Sequence, residues 1–234
     1  MFEPIKNTRA FEQVATQIKE RIFSGQLIPG DRLAPEAQLA ADFNVGRQTV
    51  REALRLLEMS GFIATQKGGG GGAFINDAIQ GTIRDLFLDA FRMKKGSMED
   101  LTLARIQVER NVLDLAMENF DESDAQKLKC NIAEARKRID QGQTATEINV
   151  QFHKLLAQAS KNFVYVIIME CIMAVHGRFL MQKEPSLETS SLVVDAHENI
   201  ILAILDHNAG LAHKLFKEHL IEVRKRLEQE PEKL

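Results

Sequence analysis

All six histidines of the chain lie beyond residue 150, and three of them are spaced in a way that could hold a metal ion. Asn149 and His153 stand four residues apart in NVQFHKLLAQAS, so a helix over this stretch turns both side chains toward one point. His197 falls in the middle of one expected helix and His219 in the middle of the next, so an antiparallel pair could set both imidazoles opposite the first two residues. Three imidazole nitrogens and one amide oxygen suit Zn²⁺, Ni²⁺ or another borderline divalent ion, with coordination positions left for water or a carboxylate. Histidines on helices more often end as hydrogen-bonded core or surface groups, and spacing alone leaves that outcome open. His176 and Arg178 fall on another helix that could line the same pocket, although core or surface roles are commoner; His207 and His213 read as surface residues.

A second set of residues points to a different chemistry. In FNVGRQTVREALRLL, Val50, Ala53, Leu54 and Leu57 recur at helical spacing and predict a buried stripe. Arg47, Gln48, Arg51 and Arg55 fall on the other side, with Thr49 near the helix start. Such a helix docks its apolar back on its own domain and presents side chains that bond phosphates and base edges. An ordinary amphipathic surface helix would show the same pattern, so the flanking elements decide.

Those elements are a first helix from residue 10 to 24 with Phe11, Val14, Ala15, Ile18, Ile22 and Phe23 on one face, a turn at Leu27 to Asp31, and a second helix from Pro35–Glu36 to about Phe43. Gly46 falls at the start of the third helix. After Gly61, two short apolar runs flank Gln66, Lys67 and five glycines, Gly68 to Gly72, which reads as a β-hairpin able to lie close to another backbone. Three helices and a hairpin make a winged helix-turn-helix over 1–76, with Lys67 and Gly70 in the wing. From 77 to 234 the pattern is helical almost throughout, with a connector from Ile79 to Phe91 and helices expected near 98–119, 123–141, 145–160, 163–182, 189–207 and 209–228.

Charge does not advertise a nucleic-acid binder. The formal net charge is -3, and nine Lys and Arg face eight Asp and Glu up to Asn76, so any basic surface must be local. An apolar fraction of 44% is normal for a chain with a real core. Cys130 and Cys171 are far apart without a CxxC partner, so neither a thiolate metal site nor a disulfide framework is indicated. The N-terminus has no apolar signal core, and the apolar stretch from Phe163 to Val175 is interrupted by Glu170, so no membrane span and a cytoplasmic location are expected.

The segments SGQLIPGDRL, LAPEAQLA, VGRQTVREALRLLEMSGFI and KGGGGGAFI resemble the GntR family of bacterial transcription regulators. The resemblance implies that Arg47, Thr49 and Arg51 contact operator DNA while the wing enters the minor groove; an arginine usual in the family is replaced by Ala37. NVQFHKLLAQASKN, DAHENIILAIL and LAHKLFKEHL resemble the FadR C-terminal ligand-binding domain, an antiparallel all-α bundle of six or seven helices. That likeness implies one metal ion on Asn149, His153, His197 and His219, with Asn where Asp is commoner, and an effector carboxylate at Arg105. The bland alternative for Arg105 is a surface salt bridge with Glu109.

Together these readings give a mainly α protein: a dimeric regulator, by family default a repressor, binding palindromic double-stranded operator DNA and sensing a small organic acid through bound Zn or Ni. Two alternatives stand beside it. The bundle could bind an acyl or other apolar ligand without metal, or the three histidines could activate water in a metalloenzyme, for which no general base is evident in the sequence.

Overall fold

The computed structural model describes residues 9–68, 71–76, 79–183 and 185–229, and its chain divides into two compact units, 1–83 and 84–234. The division falls inside the connector helix rather than before it.

In the first unit, α1 (Ala10–Phe23) buries Val14, Ala15 and Ile18, and Gly25 at φ 76° ends it in the left-handed conformation. α2 (Glu36–Asp42) follows Pro35, which caps the helix from outside rather than opening its first turn. Asn44, with φ 51°, makes the bend into α3 (Arg47–Met59), whose N-cap is Gly46. β1 (Ile63–Gln66) and β2 (Gly72–Ile75) pair antiparallel in the register Ile63 to Ile75 and Gln66 to Gly72. Leu33, Val14, Ile18, Leu57, Ile63 and Ile75 share one core, which is why α3 can show its other face to solvent. The stretch expected only as a turn does more: Arg32 bridges Phe74, and the Leu33 amide donates to the Ala73 carbonyl, so residues 31–33 run beside β2 as an extra extended segment.

The second unit contains the rest of α4 (Ile79–Met93), then α5 (Met98–Asn119), α6 (Glu122–Asp140), α7 (Thr146–Ala159), α8 (Phe163–Gln182), α9 (Leu187–Leu205) and α10 (Ala209–Gln229). Reciprocal capping boxes start two of these helices, Ser97 with Asp100 on α5 and Asp121 with Asp124 on α6; Asn162 caps α8 through the Val164 and Tyr165 amides. α5 packs on α7, α8 and α10, while α9 packs on α6, α7 and α10, closing the bundle over Leu113, Leu128, Phe152, Leu156, Met169, Ile200 and Leu220. The 20 residues of α8 are long and apolar enough to cross a membrane by length and composition alone, and within the bundle the helix buries Met169, Ile172, Met173 and Val175.

Candidate functional sites

The bundle brings the separated histidines together. α7 supplies Asn149 and His153 one turn apart, α9 supplies His197 and α10 supplies His219, all four buried. The Nε2 atoms of His197 and His219 are 3.2 Å apart, and those of His219 and His153 are 3.5 Å apart. A tetrahedron of nitrogens about 2.05 Å from its centre has an edge of roughly 3.3 Å, so these separations fit one small cation. Hydrogen bonds alone fit less well, because a single proton on His219 Nε2 would have to serve two neighbouring imidazoles. Phe152 stacks on His197 with ring centroids 3.8 Å apart and holds that ring in place.

Behind the histidines lies a charge pair from α5. Arg105 Nε donates to Glu109 Oε1 at 2.7 Å, and the other carboxylate oxygen, Oε2, lies 2.5 Å from His153 Nδ1. Arg105 and Glu109 are only 3% and 1% exposed, so the salt bridge that was the alternative role of Arg105 forms, but buried rather than at the surface. A carboxylate on Nδ1 keeps the proton there and turns the Nε2 lone pair toward the other histidines, the arrangement that supports metal-ligating imidazoles elsewhere. Burial works to raise the Glu109 pKa, but Arg105 and His153 outweigh it and hold the group at about 2. Burial lowers His153, with Glu109 opposing the shift; burial together with nearby Arg105 and the other imidazoles pushes His176, His197 and His219 well down. Neutral imidazoles are the form that binds metal.

Among the described residues Asn149 Oδ1 is buried without a hydrogen-bond partner, a condition that costs about 1–3 kcal/mol unless something else satisfies it. An oxygen donor beside three converging nitrogens fits a cation. The adjoining cavity of about 40 Å³ is lined by Arg105, Asn149, His153, His176, Ser190 and His219. Two of the buried polar residues here were not assigned from the sequence. Glu109 was visible only as an i+4 partner of Arg105, and His176 was read as able to line the pocket, with core or surface roles commoner; His176 is buried and lines the cavity. His207 is exposed as expected, whereas His213 is half-buried and 2.6 Å from Asp114.

In the first unit, Arg47, Gln48, Arg51 and Arg55 are exposed on one face of α3, and Thr49 is half-buried beside them. Arg51 Nε donates to Glu36 Oε2 at 2.8 Å, which ties the side chain to α2. Lys67 is exposed at the end of β1, and Gly70 lies outside the described residues. A groove of about 620 Å³ runs between α2, α3 and the hairpin, lined by Gln48, Arg51, Arg55 and Thr65, with Arg32 also on its wall. Arg32 Nη2 donates to the Gly71 carbonyl and so braces the hairpin, a role the sequence did not disclose.

Residues 10–72 match the family described as bacterial regulatory proteins, gntR family, and residues 100–222 match the FCD domain. The chain is 28% identical to the HTH-type transcriptional regulator LutR of Bacillus subtilis over 86% of this chain and 94% of that protein. It is also 28% identical to the Exu regulon transcriptional regulator of Escherichia coli, over 91% of this chain and 82% of the relative. Among solved structures, Streptococcus agalactiae GntR shares the fold with a TM-score of 0.74 at 24% identity, covering 92% of this chain and 99% of that one.

Proposed function

Because the chain belongs to the GntR family of bacterial regulatory proteins and carries an FCD domain, it is a transcription regulator rather than an enzyme, and we propose that a metal-held organic acid controls it. Asn149, His153, His197 and His219 hold one Zn²⁺ or Ni²⁺, and Arg105 receives the carboxylate of a small effector. When bound, the ion supplies a Lewis-acidic anchor for that carboxylate. The chain's own part is to keep three imidazoles neutral, orient His153 through Glu109 and exclude bulk water.

The observation that carries this reading is the convergence of three Nε2 atoms beside the unpartnered Asn149 oxygen. With four neutral donors and a guanidinium already balanced by Glu109, the ion's charge is left for an anion to meet. The cavity volume of about 40 Å³ counts against an acyl chain and favours a molecule of a few heavy atoms.

The winged domain binds double-stranded operator DNA through Arg47, Gln48, Thr49 and Arg51 on α3, with Lys67 and the glycine turn, Gly70 included, at the minor groove. The protein acts in the cytoplasm as a homodimer, since two recognition helices related by two-fold symmetry read a palindrome that one cannot specify. Its role is repression: the effector releases DNA by binding one arrangement of the DNA-binding domains better than the other.

Elemental mass spectrometry of untagged protein tests the centre. Near-stoichiometric Zn or Ni in the parent, lost in His153→Ala and His197→Ala, is the expected result. A parent that takes up neither ion after incubation would remove the metal from this account and leave DNA binding in place.

A further inference from the structure

On the solvent side of the bundle, α5 and α10 border a groove of about 300 Å³ lined by Gln107, Arg110, His213, Lys214 and Lys217, with the buried Phe216 beneath them. It shares no lining residue with the histidine cavity. Although the chain has 33 acidic residues to 30 basic ones, the lining of this groove holds three full cations and no carboxylate. Asp114, one turn beyond Arg110, is taken by His213, whose Nε2 is 2.6 Å away, and Glu218 does not line the groove. Among the described residues, Arg110, Lys214 and Lys217 make no ion pair and no side-chain hydrogen bond. Elsewhere the same two helices do match opposite charges, Arg224 Nη1 with Glu99 Oε1 at 3.8 Å, and the groove between α6 and α9 sets Glu198 2.8 Å from Arg136. Like charges collected round one concavity repel each other unless an anion lies among them.

We infer that this groove is a binding site for a small phosphate monoester. Arg110 offers a planar fork to two phosphoryl oxygens, and Lys214 and Lys217 bring point charges to the remaining one. At neutral pH such an ester carries about −1.5 to −2 charge and three acceptor oxygens, which suits three cations better than a singly charged carboxylate does. Gln107 adds a neutral amide donor. Ile106 and Phe216 supply apolar surface at the base of the groove for the carbon body of the ester. A concavity of this volume admits one phosphoryl group with a short body, whereas duplex DNA would span its mouth. The site is independent of the metal reading, because none of its residues belongs to the histidine cluster.

The test is calorimetry on untagged, full-length protein at fixed ionic strength, with phenyl phosphate and benzoate as probes that share a ring and differ in the anion. Phenyl phosphate binds the parent at least about tenfold tighter than benzoate, through its extra charge and extra oxygen. Arg110→Gln, and separately Lys214→Gln combined with Lys217→Gln, weaken phenyl phosphate binding by about tenfold or more while the thermal transition stays at the parent's value. Lys129→Gln, in the groove of α6 and α9, leaves the binding unchanged. A parent that does not bind phenyl phosphate has only a solvated basic patch here, and one that binds benzoate equally well has an unselective one; either result overturns the assignment. Binding that survives both groove variants places phenyl phosphate elsewhere, the histidine cavity included, and overturns it too. Groove variants that flatten the salt dependence of duplex DNA affinity and spare phenyl phosphate binding would make these cations a DNA contact instead.

Discussion

Glu109 holds the centre of the bundle together electrostatically. It accepts from Arg105 Nε on one oxygen and lies within hydrogen-bond distance of His153 Nδ1 on the other, at 1% exposure. Glu109→Gln preserves the shape while leaving the Arg105 guanidinium buried without a countercharge, which costs about 3–5 kcal/mol. Urea unfolding of metal-free protein should show that loss, and chelator competition should show metal affinity lowered by about 10–100-fold. A stability change under about 1 kcal/mol would mean that Arg105 finds another anion. Asn149→Asp works the other way: a carboxylate in place of the unpartnered amide oxygen should tighten metal retention at least tenfold, on the order of 1.4 kcal/mol, and weaken binding of anions to the loaded site. An unchanged metal affinity would remove Asn149 from the ligand set. The histidines of this site were legible in the sequence only as candidates, because spacing left core roles open and it was the resemblance of their three segments to the FadR C-terminal domain that drew them into one set. Glu109 was not, because an Arg and a Glu four apart look the same whether solvent or α7 covers them.

At the scale of elements, most of the helices could be read off because their boundaries are written locally. Ser97, Asp121 and Asn162 cap α5, α6 and α8 with their own side chains, and Gly25 and Asn44 supply left-handed turns where the chain must leave a helix. The extended segment at residues 31–33 escaped notice because its partner, β2, is some forty residues away and a Pro-Gly pair precedes it. Its contribution bears on the hairpin. A Cβ on Gly71 would press against the Gln66 carbonyl oxygen and crowd the Gly68 backbone, so Gly71→Ala forces the turn open. That variant should bind duplex DNA several-fold more weakly while the bundle's thermal transition stays where it was; unchanged DNA binding would show that the hairpin is not part of the interface. Arg47 makes the matching case on α3. If it meets a phosphate, Arg47→Ala should flatten the slope of log affinity against log salt by about one on non-specific duplex, a quantity fluorescence anisotropy gives directly. An unaltered slope would assign Arg47 to bases or to solvent.

Across the whole molecule, the near balance of charge, with a net of -3, means that stability near neutral pH is governed by a few buried groups rather than by general repulsion. Four of them are histidines: burial lowers the pKa of His153, with Glu109 opposing, and burial followed by neighbouring positive charge lowers His176, His197 and His219 further in the folded chain. In the unfolded chain each returns to about 6.5. Below that value the unfolded state binds protons that the folded state refuses, so stability is fully present above about pH 6.5 and falls as the solution is acidified. Glu109 adds nothing to this window, because its folded pKa of about 2 lies below its ordinary 4.5 and its contribution is lost only between those values. Metal-free protein should therefore lose stability steeply between pH 7 and 5.5, by up to about 1.4 kcal/mol per pH unit for each histidine. Urea titrations at four or five pH values give the slope, and His219→Gln should make it shallower by one histidine's share. Bound metal steepens the dependence further, because acid competes for the same nitrogens. A flat profile over that range would mean that water reaches the imidazoles in the folded protein, and a centre that wet could neither hold the histidines neutral nor leave the Asn149 oxygen waiting for a cation.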